Sequence, residues 1–164
     1  MSIFDLFKPR WKRSSRKERQ KAVVDLNNTM ILGQMALQDV DYEIRRMALD
    51  AIHNEDVKTE VALNDSDLRI RKLAVTKIES QFHLFKIVCE SHDLPVRCEA
   101  VERMTEPNLL EKIIADERNP FSLRLDAVER LEDRQTILNL LQRKIDKKVR
   151  KQLQVKFKKL SPVA

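Results

Sequence analysis

Four residues in the middle of the chain have the chemistry of metal ligands: Cys89, Cys98, His83 and His92. A structural zinc site needs about four such side chains converging as a tetrahedron. The apolar pattern around them places Cys89 at the end of one helix and Cys98 inside the next, a spacing that matches no known zinc module. The sequence therefore predicts no metal site and no cofactor.

Motifs of catalysis are missing from the sequence, which has no Ser-His-Asp arrangement, no glycine-rich phosphate loop and no HExxH pair. The two cysteines do not form a CxxC motif, which fits a reducing compartment. No apolar run of about 18 residues is present that would span a membrane, and no secretory signal pattern is seen. We expect a cytoplasmic protein that is not an enzyme.

Basic residues are concentrated towards both ends of the chain. Residues 1–21 hold eight Lys and Arg against two acidic residues, and residues 143–159 hold nine against one, whereas the middle is acidic. A basic segment of this kind favours contact with a phosphate backbone, and the alternative is a basic cap that keeps the end of the fold soluble. The C-terminal candidates for partner binding are Lys147, Lys148, Lys151 and Lys156.

A second set of basic residues recurs at steps of 26 or 27 residues: Lys77, Arg103, Arg130 and Lys156. Stacked about 10 Å apart, as neighbouring helices are, these side chains would meet a polyanion. Glu99 and Asp126 precede two of them by four residues, however, and would neutralise them on the same helix face. Both interpretations are open at this stage.

The basic row belongs to a repeat that runs through the chain. A small apolar residue recurs at steps of 26, 26, 26, 27 and 26 residues: Ala22, Ala48, Ala74, Ala100, Ala127 and Leu153. Apolar residues lie four before, one after and four after this centre, which makes one stripe on a helix. A second apolar set at 10, 13 and 14 residues after the centre predicts a second helix. Such hairpins bury their stripes only by stacking.

Charged residues recur with the same period. An arginine lies three residues before each centre: Arg19, Arg45, Arg71, Arg97, Arg124 and Arg150. An aspartate lies four residues before most of these arginines, at the expected N-cap of the helix: Asp41, Asp67, Asp93 and Asp146. In the first unit, Ser15 and Glu18 form a capping-box pattern. In the fifth, Pro120 and one inserted residue predict altered stacking on the fourth unit.

The chain resembles the HEAT-like repeat superfamily of armadillo-type α-solenoids. The resemblance rests on the pattern D-x-x-[IV]-R-x-x-A-[VL] at residues 41–49, 67–75 and 93–101, with a partial match at 124–128. It implies an all-α, right-handed solenoid of about six 26-residue helical hairpins over residues 15–160. The units lie near 15–38, 39–64, 65–90, 91–116, 117–143 and 144–160.

The resemblance also implies roles for the repeated charges. In that family, the aspartates and arginines form a ladder between successive repeats, and members hold a protein or a peptide on the concave face. We therefore expect a non-catalytic binding module or scaffold with a protein or peptide partner. The alternative is electrostatic nucleic-acid binding through the basic ends, and the superfamily that the chain resembles includes the HEAT-like DNA glycosylases.

Residues 1–14 stand outside the repeat. Ile3, Phe4, Leu6 and Phe7 give one apolar face to a short helix that would end near Pro9, and Trp11 follows among basic residues. One interpretation is a cap on the first repeat, because the end of a solenoid needs a cover. The other is a tail that contacts a membrane surface or a partner.

Overall fold

The computed structural model describes residues 7–160 of the chain, and in this part the chain is all-α. The described residues form eleven α-helices and a short 3-10 helix at Arg10–Lys12, and they include no strand. None of these helices is both long and apolar enough to cross a lipid bilayer. The described part of the chain forms two compact units, which divide between Glu79 and Ser80.

The helices of the first unit are α1 (Arg16–Asp25), α2 (Thr29–Gln38), α3 (Tyr42–Asp50), α4 (Glu55–Asn64) and α5 (Leu68–Thr76). Those of the second unit are α6 (Gln81–Glu90), α7 (Leu94–Glu102), α8 (Pro107–Ala115), α9 (Phe121–Arg130), α10 (Arg134–Gln142) and α11 (Lys147–Lys159).

The apolar positions of the repeat make the core of each unit. In α3, Ile44, Ala48 and Leu49 are fully buried, and in α8 Leu110 and Ile114 are fully buried. In the first unit α1 packs on α3, α3 on α5 and α2 on α4; in the second unit α7 packs on α9, α9 on α11 and α8 on α10. Alternate helices therefore lie side by side within each unit, as the spacing of the apolar residues requires.

Three of the helices have an aspartate as their N-cap residue, as predicted. Asp41, Asp67 and Asp146 each accept hydrogen bonds from backbone N–H groups in the first turn of α3, α5 and α11. Asp93 occupies the same position before α7 but makes no such bond. The reason is Pro95, because a proline at the second helical position has no N–H to donate.

The predicted capping box at the start of α1 is wrong. The Ser15 side chain makes no capping bond, and the Glu18 carboxylate accepts from Arg13 Nη1 at 3.1 Å instead. Arg10 Nη1 donates to Asp25 at the other end of α1 at 3.0 Å. The segment before α1 is thus fastened to that helix by ion pairs. The apolar residues Ile3, Phe4 and Leu6 lie outside the described residues.

Lys58 interrupts the apolar pattern, and Gly33 lies beside that pattern; each has a specific role in packing. Lys58 stands where other units have a leucine or isoleucine, and its Nζ donates to the Lys77 carbonyl oxygen at 2.8 Å, just after α5 ends. The only glycine of the chain, Gly33, lies in α2 opposite Val57 of α4. A Cβ at this position would come within 3.2 Å of Val57 Cγ1, so Gly33 lets the two helices approach closely.

Candidate binding surfaces

The repeated arginines of the first unit are bonded inside the fold. Arg19 Nε and Nη2 donate to the two carboxylate oxygens of Asp39 at 2.7 and 3.1 Å, and Arg45 binds Asp65 in the same way at 2.8 and 3.2 Å. The Asp65 side chain is 0% exposed and that of Arg45 is 9% exposed. This hydrogen bond raises the pKa of Arg45. Each pair is a two-point contact between a planar guanidinium and a planar carboxylate.

Four of the repeated arginines also donate to a backbone carbonyl at the end of the helix before their own. The pairs are Arg45 with Asp39, Arg71 with Asp65, Arg124 with Ile114 and Arg150 with Leu141. The last carbonyls of a helix have no partner within that helix. Each of these arginines therefore joins two consecutive helices within a unit. The contact lies at the C-terminal end of the first helix, where a backbone carbonyl oxygen would otherwise have no hydrogen-bond donor.

The acidic partners of the buried arginines differ from the predicted ones. Asp41 and Asp67 are committed to capping their own helices, and their remaining contacts are with Arg16, at 3.1 Å, and Arg69, at 2.6 Å. The Arg69 hydrogen bond lowers the pKa of Asp67 to about 2. The arginines bind Asp39 and Asp65 instead, two residues earlier, because an N-cap carboxylate points at the amides of its own helix.

The predicted row of exposed cations is largely bonded within the chain. Lys77 Nζ lies 2.6 Å from Asp50 Oδ1, Arg130 Nε donates to the Met104 carbonyl oxygen at 3.4 Å, and Lys156 Nζ donates to the Glu129 carbonyl oxygen. Each contact joins one helix to the C-terminal end of a helix about one repeat earlier, where a cation suits the helix dipole. Arg103 is exposed and remains a candidate for partner contact.

The C-terminal basic segment presents an exposed face. Lys147, Lys148 and Lys151 lie on α11 and are exposed, and Lys148 Nζ stands 5.7 Å from the centre of the Phe121 ring. Asp146 is the one acidic residue in 143–159, and its carboxylate caps α11. The backbone N–H bonds to this carboxylate lower the pKa of Asp146.

The cysteines and histidines of the middle region do not come together. Within residues 7–160, no three His, Cys, Asp or Glu side chains converge in a way that would hold a metal ion. Burial raises the pKa of the Cys89 thiol, and burial together with a hydrogen bond to Asp126 raises that of Cys98 to about 11. Both thiols are therefore protonated near neutral pH and weakly nucleophilic.

The second unit has a cleft between α6 and α8, with a volume of about 960 Å³. Phe85 and Val88 of α6 form its apolar wall. Its floor and far wall come from α8 and from the connection between α8 and α9, which carries the inserted residue of the fifth repeat. The charged and amide residues that line it are Arg97, Asn108, Glu111, Lys112, Asp116, Arg118, Asn119 and Arg143.

Cations outnumber carboxylates in the cleft by four to two. Arg143 Nη2 contacts Glu111 Oε1 at 2.7 Å, and Arg118 Nη2 contacts Asp116 Oδ2 at 2.9 Å and lowers the pKa of Asp116. Lys112 Nζ lies 5.8 Å from the centre of the Phe85 ring. The cleft therefore combines an aromatic surface with excess positive charge. The sequence interpretation included Arg97 only as a ladder residue and missed the other cleft residues.

Comparison of the chain with protein-family models, with curated proteins and with solved structures finds no match. The candidate surfaces are accordingly defined by the geometry of this chain: the cleft between α6 and α8, and the lysine face of α11.

Proposed function

We propose that this protein is a HEAT-like α-solenoid of the cytoplasm, a non-catalytic binding module that holds a protein or peptide partner. The observation that carries the proposal is the cleft between α6 and α8. A volume of about 960 Å³ is large enough for several side chains of an extended peptide, and the cleft offers both an aromatic wall and convergent polar groups. The repeated arginines support this interpretation, because they are used for internal bonds between helices.

The proposal is tested by display of random dodecapeptides against the full chain, followed by measurement of the enriched peptides in solution. We expect replacement of Phe85 by Ala to weaken their binding about tenfold, the effect of losing one aromatic contact at the centre of an interface. Phe82→Ala is the matched control, since Phe82 lies on the same helix, is 69% exposed and does not line the cleft.

Circular dichroism establishes that both variants fold. A selection that enriches no peptide would contradict the proposal, as would enriched peptides that bind Phe85→Ala as tightly as the unchanged chain. Lys112→Glu provides a second variant of the cleft. Because Lys112 is exposed, this change should leave the fold intact.

A second candidate function is electrostatic nucleic-acid binding, favoured by the exposed lysines of α11. Lys147, Lys148 and Lys151 lie within one and a half turns of a helix whose single neighbouring acidic residue, Asp146, is used as a cap. Contacts of this kind release counterions from the phosphate backbone, so affinity falls steeply as salt rises.

For this candidate we expect a 20-base-pair duplex to bind at 50 mM salt and to be lost on changing the three lysines to Glu. Each phosphate contact removed should lower the slope of log affinity against log salt by about 0.9. Lys112→Glu in α8, an exposed lysine outside both basic ends of the chain, is the control. A duplex that causes no gel shift at low salt would contradict the candidate.

A further inference from the structure

The fourth repeated arginine, Arg97, lacks the carboxylate contact that Arg19 and Arg45 make in the first unit. Arg19 and Arg45 each place Nε and Nη2 on one aspartate. Arg97 instead donates from Nη2 to Asn119 Oδ1 at 2.5 Å, and its Nε is buried and has no acceptor among residues 7–160. The group that meets the Arg97 guanidinium is thus a neutral amide, which satisfies one donor and supplies no charge.

The sequence explains the difference. In the first unit the aspartate follows its arginine by 20 residues, at positions 39 and 65. After Arg97 the connection between α8 and α9 covers residues 116–120 and is two residues longer than the connections at 39–41 and 65–67. Within it Asp116 is turned towards Arg118, while Asn119 reaches the arginine and holds its own place by donating from Nδ2 to the Ile113 carbonyl oxygen at 3.0 Å.

The half-buried Arg97 is also a wall residue of the cleft between α6 and α8, beside Lys112 and Arg118. The Arg118 side chain is 91% exposed and lies 2.9 Å from Asp116. A buried guanidinium N–H without an acceptor is unfavourable, and a charged acceptor relieves this more than a neutral one. An oxyanion entering the cleft would take the place of the Asn119 amide on Arg97 Nη2 and supply the negative charge that Asp65 supplies to Arg45 in the first unit.

We propose that the cleft binds an Asp or Glu side chain of an acidic peptide, whose carboxylate contacts Arg97 from outside the chain as Asp65 contacts Arg45 from within it. This inference rests on the proposed peptide-binding function and names the chemistry of its ligand. An apolar residue beside the acidic one packs on Phe85, which is half-buried in the wall of the cleft.

Two features favour a carboxylate on a polypeptide over the phosphates of a nucleic acid. The guanidinium fork at this repeat position already accommodates a planar carboxylate twice in the chain, with both pairs at hydrogen-bond distance. In addition, Glu111 and Asp116 line the same cleft and would repel a continuous phosphate backbone, whereas a peptide presents isolated charges separated by apolar side chains.

The test uses two fluorescein-labelled heptapeptides, blocked at both ends: Gly-Leu-Glu-Leu-Glu-Phe-Gly and its counterpart with Gln in place of both Glu. Anisotropy titration of the full chain at low salt should give about tenfold tighter binding of the Glu peptide, the effect of one charge-assisted hydrogen-bond pair. Acetate should compete at least as well as inorganic phosphate at equal ionic strength.

Variants assign the effect to the cleft. Asn119→Asp places a carboxylate on Arg97 within the chain and should weaken the Glu peptide about tenfold while leaving the Gln peptide unchanged. Lys112→Gln and Arg118→Gln alter exposed residues and should weaken it severalfold. Lys158→Gln, an exposed lysine near the end of α11 outside the cleft lining, should have no effect.

Equal affinity for the two peptides, no binding of either, unchanged binding by Asn119→Asp, or stronger competition by phosphate would overturn the inference. Failure of the carboxylate assignment can be distinguished from failure of the proposed peptide-binding function. If display enriches peptides without acidic residues that still depend on Phe85, the cleft binds peptides and the carboxylate assignment is wrong.

Discussion

Replacing Asp65 by Ala should destabilise the first unit by about 3–5 kcal/mol, which is the usual effect of removing one partner from a buried ion pair. Asp65 is fully buried and accepts from Arg45 Nε and Nη2, and its Oδ1 also accepts from the Asp67 N–H at 2.7 Å. In the variant, the Arg45 guanidinium would stay buried with its charge uncompensated. Urea unfolding followed by circular dichroism measures the loss.

Two comparisons identify the cause of this loss. Asp25→Ala removes the ion pair with Arg10, in which both side chains are more than half exposed, and should cost about 0.2–1 kcal/mol. The double change Arg45→Met with Asp65→Leu should recover most of the stability, because it removes the orphaned charge together with its partner. A loss below about 1 kcal/mol for Asp65→Ala would show that the pair contributes little to the fold.

Replacing Leu153 by Ala should destabilise the second unit by about 2–5 kcal/mol through loss of buried surface and the cavity left behind. Leu153 lies in α11 at the repeat position that is alanine in the five earlier copies, and it is fully buried. Val155→Ala on the same helix is the matched control, because Val155 is 41% exposed and its truncation should change stability by about 0.5 kcal/mol or less.

The reverse change, Ala100→Leu in α7, should also destabilise the unit, by about 1–3 kcal/mol, since α7 packs against α9 and has no room for a larger side chain. Together, Leu153→Ala and Ala100→Leu test whether the size of the side chain at the repeat centre matches the space beside each helix. Equal effects of Leu153→Ala and Val155→Ala would contradict the packing of α11 described above.

Much of the fold follows from sequence alone because the apolar period is regular. The stripe of Ile44, Ala48 and Leu49 predicts which face of α3 is buried, and Asp41 predicts where that helix begins. The sequence pattern gave a wrong prediction at the start of α1, where Ser15 and Glu18 have the spacing of a capping box. Nearby arginines bind the glutamate instead, and this is a contact between segments that the spacing does not encode.

The partners of the arginines were harder to predict. Asp39 and Asp41 are only two residues apart in the sequence, and the spacing does not say which of them binds a repeated arginine. The packing of α2 beside α3 decides that Asp39 accepts from Arg19. The cleft was not predicted from the sequence. The inserted residue before Pro120 predicts altered stacking, but it does not indicate which helices move apart. One signal was available: the chain has Asp 20 residues after Arg19 and Arg45, but Glu117 at that distance from Arg97, and an asparagine two residues later.

The central claim is that Arg97 takes an external carboxylate where Arg45 has an internal one, and arginine side-chain NMR tests it most directly. The Nε–Hε signals of both residues are assigned from Arg→Lys variants, and the full chain is titrated with the Glu heptapeptide. The account predicts that the Arg97 signal shifts on binding while the Arg45 signal, held by Asp65, stays in place. An unmoved Arg97 signal, or equal movement of both, would contradict it.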